Sequence, residues 1–374
     1  MQLESIVLRR VKMRMREPFE TSFGREQDKD IVVVEARSQA GAVGFAECVA
    51  MSDPLYNEET ADTAWIMIRK YFAPLVLRQK FESLDDVRGL VRVLSPYKGN
   101  RMAKAAVEMA VWDCWANETG RPLAALLGGA REEIPVGISV GIQPDIPALL
   151  RKIEGYVQQG FARVKVKVKP GWDVEPLAAI RREFPDLPLM ADANSAYRLG
   201  DAEHLRRFDE FGLTMIEQPL AHDDILDHAV LQRQLNTAIC LDESIHTAQD
   251  ARKAIEAGAC RVINIKVGRV GGFAEAIAIH DVARANGVPV WCGGMLETGI
   301  GRLHNVALTA LPGFTLPGDT APSARYFDED VIHPPVEFLR PGVLAVEPLC
   351  GVASRVRRDR LDGWTDAVEE IGRD

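Results

Sequence analysis

Cysteine is scarce in this chain of 374 residues, and its six cysteines form no motif. None lies in the C-x-x-C spacing that zinc sites and redox centres use. They are Cys48, Cys114, Cys240, Cys260, Cys292 and Cys350. Because several lie within apolar runs, as Cys240 does at 238–241, we expect buried free thiols and a reducing compartment.

Three further absences exclude whole classes of protein. No stretch approaches the roughly 20 apolar residues of a membrane span, and residues 1–5 lack the basic start and apolar core of a signal peptide. The densest basic stretch is only 355–358, and the formal net charge of -9 would repel a polyanion. We therefore expect a cytoplasmic protein that binds neither membranes nor nucleic acids.

The first third of the chain has the pattern of an independent domain. Residues 1 to about 60 contain β-branched runs such as 31–36 and a glycine-containing turn at 39–44, which predict strands. Helical patterning follows to about residue 127, with an alanine-rich segment at 103–113 and a stop near Gly128 and Gly129. Strands followed by helices predict a separate α+β domain over residues 1–128.

A different pattern begins near residue 134. Short apolar runs alternate with helical segments of about 10 to 15 residues, which is typical of repeated βα units. The runs are 136–140, 164–168, 189–193, 213–217, 239–242, 262–266, 288–292 and 314–316. Eight runs favour an α/β fold with a closed (β/α)8-type barrel over residues 129–330. The tail, residues 331–374, looks strand- and turn-like, ends in a charged helix-like segment and is expected to pack back onto the first domain.

Five charged residues end five consecutive apolar runs, at intervals of 25, 25, 25 and 24 residues. They are Lys167, Asp192, Glu217, Asp242 and Lys266. The carboxyl ends of barrel strands form one rim, where active sites lie. Three carboxylates gathered there would repel one another unless a cation were bound. Because oxygen ligands suit Mg²⁺ or Mn²⁺, we predict a divalent-metal site at these carboxylates.

The lysines supply candidate bases. In the run 164–168 lysines alternate with valines, so the period of two residues puts Lys165 and Lys167 on one face. With the valines outward against helices, both amines would point into the barrel mouth; an edge strand protected by lysines is the alternative. Like charges and a divalent cation are expected to lower the lysine pKa towards that of a general base. Lys266 would approach from the opposite side.

This arrangement predicts a definite reaction. The metal takes the oxygens of a substrate carboxylate and stabilises the enediolate that forms when the α-proton leaves. One lysine abstracts the proton, and the other returns a proton on the opposite face or supports the departure of a β-leaving group. A Schiff-base aldolase, in which Lys266 attacks a carbonyl, is an alternative that leaves the three carboxylates without a role. A non-enzymatic barrel would be expected to have lost a catalytic residue.

Several short motifs carry a resemblance to a known family: KVK at 165–167, ADAN at 191–194, IEQP at 216–219, LDES at 241–244 and NIK at 264–266. Together they resemble the enolase superfamily, muconate-lactonizing-enzyme subgroup, over nearly the whole chain. The resemblance implies a modified (β/α)7β barrel with an α+β capping domain, Mg²⁺ (or Mn²⁺ or Co²⁺ in its place) on Asp192, Glu217 and Asp242, and assembly as dimers or octamers. It also implies that Lys167 and Lys266 are the acid/base catalysts and that Lys165 tunes Lys167.

A narrower likeness lies in four segments: PGWD at 170–173, GRVGG at 268–272, WCGGMLETGIGR at 291–302 and LPGDT at 316–320. They are similar to the branch that holds o-succinylbenzoate synthases and N-succinylamino acid (N-acylamino acid) racemases. This implies racemisation of N-acylamino acids, the dehydration that makes o-succinylbenzoate for menaquinone, or both. Dipeptide epimerases and other muconate-lactonizing-type enzymes are the alternative. The epimerases usually have an Asp-x-Asp pair after strand seven, where Gly293, Gly294 and Met295 suit an N-acylated substrate better.

Further residues are expected near the substrate. Ser139, at the end of the first barrel strand, would bond a substrate carboxylate or is a satisfied strand-end serine. Asn194 shares the face of Asp192 and is expected to orient a metal ligand or its water. Arg269 would shift the pKa of Lys266, or is a solvated loop residue. The remaining candidates are Gly293, Gly294, Met295 and Glu297 after the seventh run, and Phe23, with Phe19 and Arg25, in the 17–25 loop of the capping domain.

Overall fold

The computed structural model describes residues 1–373, which begin with a β-sheet and the helices packed on it. Three antiparallel strands come first: β1 (Leu3–Glu20), β2 (Arg25–Ser38) and β3 (Val43–Cys48). Five helices follow: α1 (Ala61–Met67), α2 (Ala73–Leu77), α3 (Leu84–Leu94), α4 (Arg101–Thr119) and α5 (Leu123–Leu127), with a π-helical turn at Ile68–Phe72 between α1 and α2. The strands and helices predicted for this part of the chain are therefore present.

Helix α4 is the centre of this capping domain. Its alanine-rich middle is buried against β2 and β3. At its start, the carboxylate of Glu59 accepts hydrogen bonds from the backbone N–H groups of Met102 at 2.9 Å and Ala103 at 3.0 Å, which the helix itself leaves unpaired. The helix ends at Gly120, whose φ of 61° is a left-handed conformation that favours glycine.

Seven parallel strands form the second sheet, in the order β11-β10-β9-β8-β7-β6-β5. After β4 (Glu133–Pro135), which lies outside this sheet, the strands are β5 (Gly137–Val140), β6 (Arg163–Lys167), β7 (Leu189–Asp192), β8 (Ile216–Glu217), β9 (Ile239–Leu241), β10 (Val262–Ile265) and β11 (Val290–Cys292). The helices between and after them are α6 (Ile146–Gln158), α7 (Val174–Glu183), α8 (Ala202–Leu205), α9 (Leu226–Gln232), α10 (Ala248–Ala257), α11 (Val267–Val270), α12 (Phe273–Ala285) and α13 (Gly299–Thr309). Short 3₁₀ turns lie at Leu199–Asp201, Arg206–Phe211 and Ser323–Arg325.

The eighth apolar run completes the barrel through two isolated bridges, not as a regular strand. Phe314 bridges Val290 of β11, and Gly318 bridges Val136 next to β5, both in parallel. Pro317 lies between the two bridges and has no N–H to donate to a ladder, so a continuous strand is not expected here. The barrel architecture predicted from the sequence is confirmed, with seven regular strands.

Strand residues alternate between the barrel interior and the helical layer. A small cluster of Met190, Met215, Cys240, Val262 and Trp291 is separate from the main apolar core and fills the interior. Lys165 lies next to this layer, with its ammonium group 4.8 Å from the centre of the Trp291 ring. The two lysines of β6 therefore point into the barrel, and its valines belong to the main core outside.

The tail after residue 330 returns to the capping domain. Strand β12 (Val343–Ala345) pairs with β4, a short helix α14 (Arg358–Gly363) follows, and β13 (Thr365–Gly372) pairs antiparallel with β1. The first sheet therefore has the order β13-β1-β2-β3. The helix-like end predicted from the charged composition is wrong, because pairing with β1 satisfies backbone groups that an open sheet edge would expose.

The cysteines are as expected from their apolar surroundings. Five of the six are buried, Cys350 is half-buried, and all six are free thiols.

The sequence also predicts that the chain has no membrane span. No helix within residues 1–373 combines the length and the apolar content that crossing a bilayer requires.

Candidate active site

A cavity of about 290 Å³ opens where the carboxyl ends of the barrel strands face the capping domain. The capping side consists of loop residues at 19, 21, 23–28, 51–53 and 55–56. The barrel side is lined by Ser139, Lys165, Lys167, Asn194, Lys266, Gly294, Met295, Leu296, Asp319 and Tyr326. Residues that the sequence predicts as catalytic therefore meet residues from a different domain in one space.

The three predicted metal ligands lie side by side beneath this cavity. Strand register pairs Lys167 with Asp192 and Asp192 with Glu217, and Asp242 directly follows β9. All three carboxylates are fully buried. The sheet order from β6 to β10 therefore carries Lys167, three carboxylates and Lys266 in succession, as the regular spacing predicts.

Ammonium groups contact each of these carboxylates. Lys167 Nζ lies 2.6 Å from Asp192 Oδ2, and Lys165 Nζ lies 2.9 Å from Glu217 Oε2. Lys266 Nζ lies 2.7 Å from the Oδ2 atom of Asp242. Among residues 1–373, no three acidic, histidine or cysteine side chains surround a common point as metal ligands would. Binding of a cation by the three carboxylates therefore requires the ammonium groups to move off their oxygens.

The donor chemistry of this cluster fits a hard divalent cation. Within residues 1–373, Glu243 Oε2 and Asn264 Oδ1 are buried without a hydrogen-bond partner. Burial and the charge of Asp192 raise the pKa of Glu217 to about 7, although Lys165 acts in the opposite direction. The buried atoms of this cluster are thus carboxylate and amide oxygens, two of them without a hydrogen-bond partner, and oxygen ligands of this kind favour Mg²⁺ or Mn²⁺.

The electrostatics of the lysines differ from the sequence expectation. Burial lowers the pKa of Lys165, but the charges of Asp319, Glu217 and Asp192 outweigh it and raise the pKa well above its usual value. For Lys266, burial is likewise outweighed, chiefly by Asp242. The expectation of a lowered pKa concerned the lysines of the run 164–168 and assumed a divalent cation beside them. The protein's own groups shift the pKa of Lys165 upward, because carboxylates and not like charges dominate around its amine.

Tyr56 is a site residue that the sequence analysis missed. Its hydroxyl accepts a hydrogen bond from Lys266 Nζ at 3.1 Å and donates to Asp242 Oδ2 at 3.3 Å. Burial and the charge of Asp242 raise the pKa of this phenol, so it stays protonated at neutral pH. Nothing in its local sequence marks it, since its partners lie 186 and 210 residues away along the chain.

Asp319 is a second site residue that the sequence analysis did not name, although it lies within the LPGDT motif at 316–320. Its Oδ2 lies 2.8 Å from Lys165 Nζ, and its Oδ1 accepts from Arg163 at 2.9 Å. Burial would raise its pKa, but these two cations hold it well below the usual range. The Arg163 guanidinium also lies 4.9 Å from the centre of the Trp291 ring. Asp319 follows the eighth apolar run, and this position is the sequence signal that would have identified it.

The other predicted residues divide into two groups. Ser139, Asn194, Gly294, Met295 and Phe23 line the cavity, together with Phe19 and Arg25. Asn194 holds Lys167 at 2.6 Å through Oδ1 and donates to Glu243 at 2.9 Å.

Three predicted residues lie behind the cavity wall. Arg269 is buried and donates to Asp242 Oδ1, so it is not a solvated loop residue. Glu297 accepts from Arg302 and Asn305. Gly293 leaves room for the side chain of Lys266. A Cβ at position 293 would lie 2.5 Å from the side chain of Asn264 and 2.8 Å from Cε of Lys266.

Comparisons with known proteins show the family to which the chain belongs. Residues 4–128 match the family described as "Mandelate racemase / muconate lactonizing enzyme, N-terminal domain", and residues 148–360 match "Enolase C-terminal domain-like". The chain is 51% identical to an o-succinylbenzoate synthase of Geobacillus stearothermophilus, over 99% of this chain and 98% of that protein. It is 47% identical to an N-succinylamino acid racemase of Amycolatopsis sp, over 100% of both.

A solved structure gives the same result for the fold. An enolase superfamily member from Listeria innocua Clip11262 superposes with a TM-score of 0.94 at 41% identity, covering 100% of this chain and 99% of that one. The matches to both domains and the lysine–carboxylate rim lead to one assignment. The chain belongs to the enolase superfamily, in the mandelate racemase and muconate lactonizing enzyme family.

Proposed function

We propose that this protein abstracts the α-proton of a carboxylate substrate, as an N-acylamino acid racemase, an o-succinylbenzoate synthase, or both. One observation carries the proposal. Lys167 and Lys266 stand on strands β6 and β10, on either side of three strands that end in carboxylates, and both amines line one cavity. Two amines that flank one substrate position suit proton removal on one face and proton return on the other.

Each lysine is held by polar neighbours that set its position. Lys167 donates to Asp192 and to Asn194, at 2.6 Å each. Lys266 donates to Asp242 and to Tyr56. In its neutral form either amine can take the α-proton of one enantiomer, and the opposing ammonium then protonates the other face of the carbanion. The hydrogen bonds to Asn194 and Tyr56 do not involve the proposed metal ligands, so they keep both nitrogen atoms near the cavity, where a reacting carbon must lie, when the carboxylates hold a cation.

A divalent cation, Mg²⁺ or a substitute, belongs to this proposal. Asp192, Glu217 and Asp242 would hold it, because they are the adjacent, fully buried carboxylates of the rim. When bound, the cation supplies positive charge to the substrate carboxylate, which becomes doubly charged in the enediolate. The capping loops close the other side of the cavity. Phe23 of these loops and Met295 on the barrel side offer apolar contact to a side chain or an acyl group.

The two named activities share the first step. A racemase returns a proton to the opposite face, whereas a synthase loses a β-hydroxyl group as water after the same deprotonation. Relatives with both names, at 51% and 47% identity over nearly their whole length, support keeping both activities in the proposal. The second lysine on the far side of the cavity is required for racemisation and is present here as Lys266.

Dipeptide epimerisation is less well supported, because the substrate amine of a dipeptide needs free carboxylates. The segment after β11 offers Gly293, Gly294 and Met295 in place of an acidic pair. Asp319, which lines the cavity nearby, is already paired with Lys165 and Arg163. An N-acylated substrate has no ammonium group and therefore does not need a free carboxylate to bind one.

Deuterium exchange tests the proposal directly. We expect the purified protein with Mg²⁺ in D₂O to replace the α-proton of an N-succinyl amino acid, and EDTA to abolish the exchange. Lys167→Ala should stop exchange from one enantiomer and Lys266→Ala from the other. Lys253→Ala, an exposed lysine on α10, is the matched control and should leave both rates unchanged. Absence of exchange or dehydration with every N-acyl amino acid and with the cyclohexadiene substrate of the synthase would overturn the proposal.

A further inference from the structure

Gln218 directly follows the proposed metal ligand Glu217 at the end of β8, and it is fully buried. Its backbone φ is 36°, which lies in the left-handed region that residues with a side chain rarely adopt. A backbone conformation of this kind costs free energy and persists only where the surrounding contacts fix it. The proposed function gives this residue no role, so its conformation needs another explanation.

The left-handed turn redirects the backbone carbonyl of Gln218. The N–H group of Gln218 donates to the carbonyl of Cys240 on β9 at 2.9 Å, as in a regular parallel ladder. In such a ladder the next bond would run from the N–H of Asp242 to the carbonyl of Gln218. That carbonyl instead accepts from the N–H of Ser195 at 2.8 Å, in the segment after β7. The turn therefore deprives the backbone of Asp242 of its regular partner on β8.

The side chain of Gln218 takes the place of that carbonyl. Its Oε1 atom accepts from the backbone N–H of Asp242 at 3.0 Å and from that of Ser244 at 3.3 Å. Its Nε2 atom donates to the hydroxyl of Ser244 at 2.6 Å and to the carbonyl of Ala221 at 3.0 Å. Every polar atom of Gln218, in the backbone and in the side chain, therefore has a partner.

These hydrogen bonds connect the three strands that carry the proposed metal ligands. The backbone of Gln218 is bonded to the segment that follows Asp192, and its side chain is bonded to the N–H of Asp242. Glu217 is its neighbour in the chain. One neutral side chain thus fixes the segments after β7, β8 and β9 relative to one another. A shift of Asp242 away from Glu217 would break at least one of these bonds.

We propose that Gln218 is a positioning residue that holds Glu217 and Asp242 at the separation Mg²⁺ requires, and that it thereby makes the site select Mg²⁺ over the larger Ca²⁺. The inference rests on the proposed function, because it takes the three carboxylates of the rim as the ligands of the cation. Mg²⁺ demands near-ideal octahedral geometry with ligands at about 2.1 Å, whereas Ca²⁺ accepts more flexible arrangements with ligands at about 2.3–2.6 Å. A rigid pair of carboxylates favours the smaller ion, and a loosened pair loses that preference.

Gln218→Asn separates the side-chain contacts from the backbone conformation. Asparagine tolerates the left-handed region and keeps the amide, but it is one methylene shorter, so its oxygen no longer reaches the N–H groups of Asp242 and Ser244. Calorimetric titration with MgCl₂ and with CaCl₂ measures both affinities without turnover. We expect the Mg²⁺ affinity to fall at least tenfold and the Ca²⁺ affinity to change less than threefold. Gln218→Glu keeps an acceptor for both N–H groups and adds a charge that acts on both cations alike, so the ratio of the two affinities should stay near that of the wild type.

Gln232→Asn is the matched control. Gln232 is also buried, and its Oε1 atom accepts from the N–H of Ile239 at 2.7 Å while its Nε2 atom donates to the carbonyl of Thr237 at 3.1 Å. It therefore contacts the first residue of β9, at the opposite end of the strand from Asp242. The control loses comparable hydrogen bonds, so it should lower the free energy of unfolding without changing the ratio of the Mg²⁺ and Ca²⁺ affinities.

Ser244→Ala is a milder variant, because it removes only the hydroxyl that accepts from Nε2 of Gln218. It should lower the ratio of the Mg²⁺ and Ca²⁺ affinities about threefold. An unchanged ratio in Gln218→Asn, or in Ser244→Ala if the first variant does not fold, would overturn the role of Gln218, and so would an equal change of the ratio in Gln232→Asn. A wild-type protein that binds Mg²⁺ but exchanges no α-proton would overturn the proposed reaction alone, and one that binds neither cation would overturn both.

Discussion

Lys266 Nζ donates to the hydroxyl of Tyr56 at 3.1 Å and lies 4.5 Å from the centre of the same ring. Tyr56 belongs to a loop of the capping domain, whereas Lys266 follows the barrel strand β10. The hydroxyl also donates to Asp242 Oδ2, so it bridges a proposed base and a proposed metal ligand. The capping domain therefore supplies a polar group to the rim itself and not only a cover for the substrate.

Tyr56→Phe isolates the contribution of that hydroxyl, because the ring contact with Lys266 is kept. A single hydrogen bond is worth about 1 kcal/mol, which corresponds to roughly a fivefold change in rate. We expect α-proton exchange to slow by about that factor for the enantiomer that Lys266 deprotonates, and to slow less for the other. Exchange rates of the two enantiomers in D₂O provide the measurement.

Tyr71→Phe, at an exposed tyrosine of the capping domain, is the control and should leave both exchange rates unaltered. Equal slowing of both enantiomers by Tyr56→Phe would mean that the hydroxyl acts on the whole site and not through Lys266. No slowing at all would mean that the hydrogen bond is absent in the working enzyme.

Asp242→Asn tests whether this carboxylate binds the metal, and Asp319→Asn is the matched control. Removing one negative oxygen ligand should weaken Mg²⁺ binding at least tenfold, measured by calorimetry, because Mg²⁺ depends on carboxylate charge and geometry. Asp319→Asn removes another buried charge, which is paired with Arg163 and Lys165 and lies outside the proposed ligand set. Its effect on affinity should be small. Unchanged affinity in Asp242→Asn would remove that residue from the ligands.

The rim was predictable because strands and helices repeat at nearly constant length. Spacings of 25, 25, 25 and 24 residues place Lys167 through Lys266 on successive strands, and the structure has them in that order. Period-two alternation likewise predicted that Lys165 and Lys167 point inward. Such signals are local, so they can be recognised in the sequence without knowledge of the tertiary structure.

What the sequence did not reveal depends on contacts between distant segments. Tyr56 lies in a loop without a motif, and it meets Lys266 only when the capping domain packs on the barrel. The direction of the Lys165 pKa shift depends on Asp319, whose segment has no regular strand. The final strand, β13, exists because β1 has an edge to pair with, although its own residues are charged and mostly exposed.

A further prediction concerns the dependence of stability on pH. Glu108, on α4 of the capping domain, accepts from the backbone N–H of Phe273 at 2.8 Å and of Ala274 at 3.0 Å, at the start of barrel helix α12. Burial raises its pKa from the usual 4.5 to about 7. A raised acid pKa favours the protonated form in the folded state. The corresponding stability is therefore present below about pH 4.5 and is lost as the pH rises through 7.

Glu108→Gln cannot ionise and should therefore show a flatter pH profile. The shift from 4.5 to about 7 corresponds to about 3 kcal/mol in the free energy of unfolding across that range. Urea unfolding of both proteins at several pH values between 4.5 and 8 gives the comparison. Glu154→Gln, at an exposed position on α6, serves as the control and should keep the wild-type slope. Identical slopes for Glu108→Gln and wild type would contradict the prediction.

The last prediction concerns the distance between β3 and α4. A Cβ at Gly44 would lie 2.1 Å from the backbone nitrogen of Cys114 and 2.4 Å from the carbonyl oxygen of Ala110. Both atoms are backbone, so no rotamer change relieves the clash, and the helix must move away from the sheet. We expect Gly44→Ala to lower the free energy of unfolding by about 3 kcal/mol or more, measured by urea denaturation.

Gly155→Ala, in helix α6, is the matched substitution at a position with open space around the new Cβ. It should stabilise the protein by about 0.5–1 kcal/mol, because alanine favours helix over glycine. Since β3 leads directly into the loop that carries Tyr56, a displaced sheet should also move that hydroxyl away from Lys266. Gly44→Ala should then slow α-proton exchange even below its unfolding transition, whereas Gly155→Ala should not. Normal exchange in a destabilised Gly44→Ala would show that the loop holds its position independently of β3.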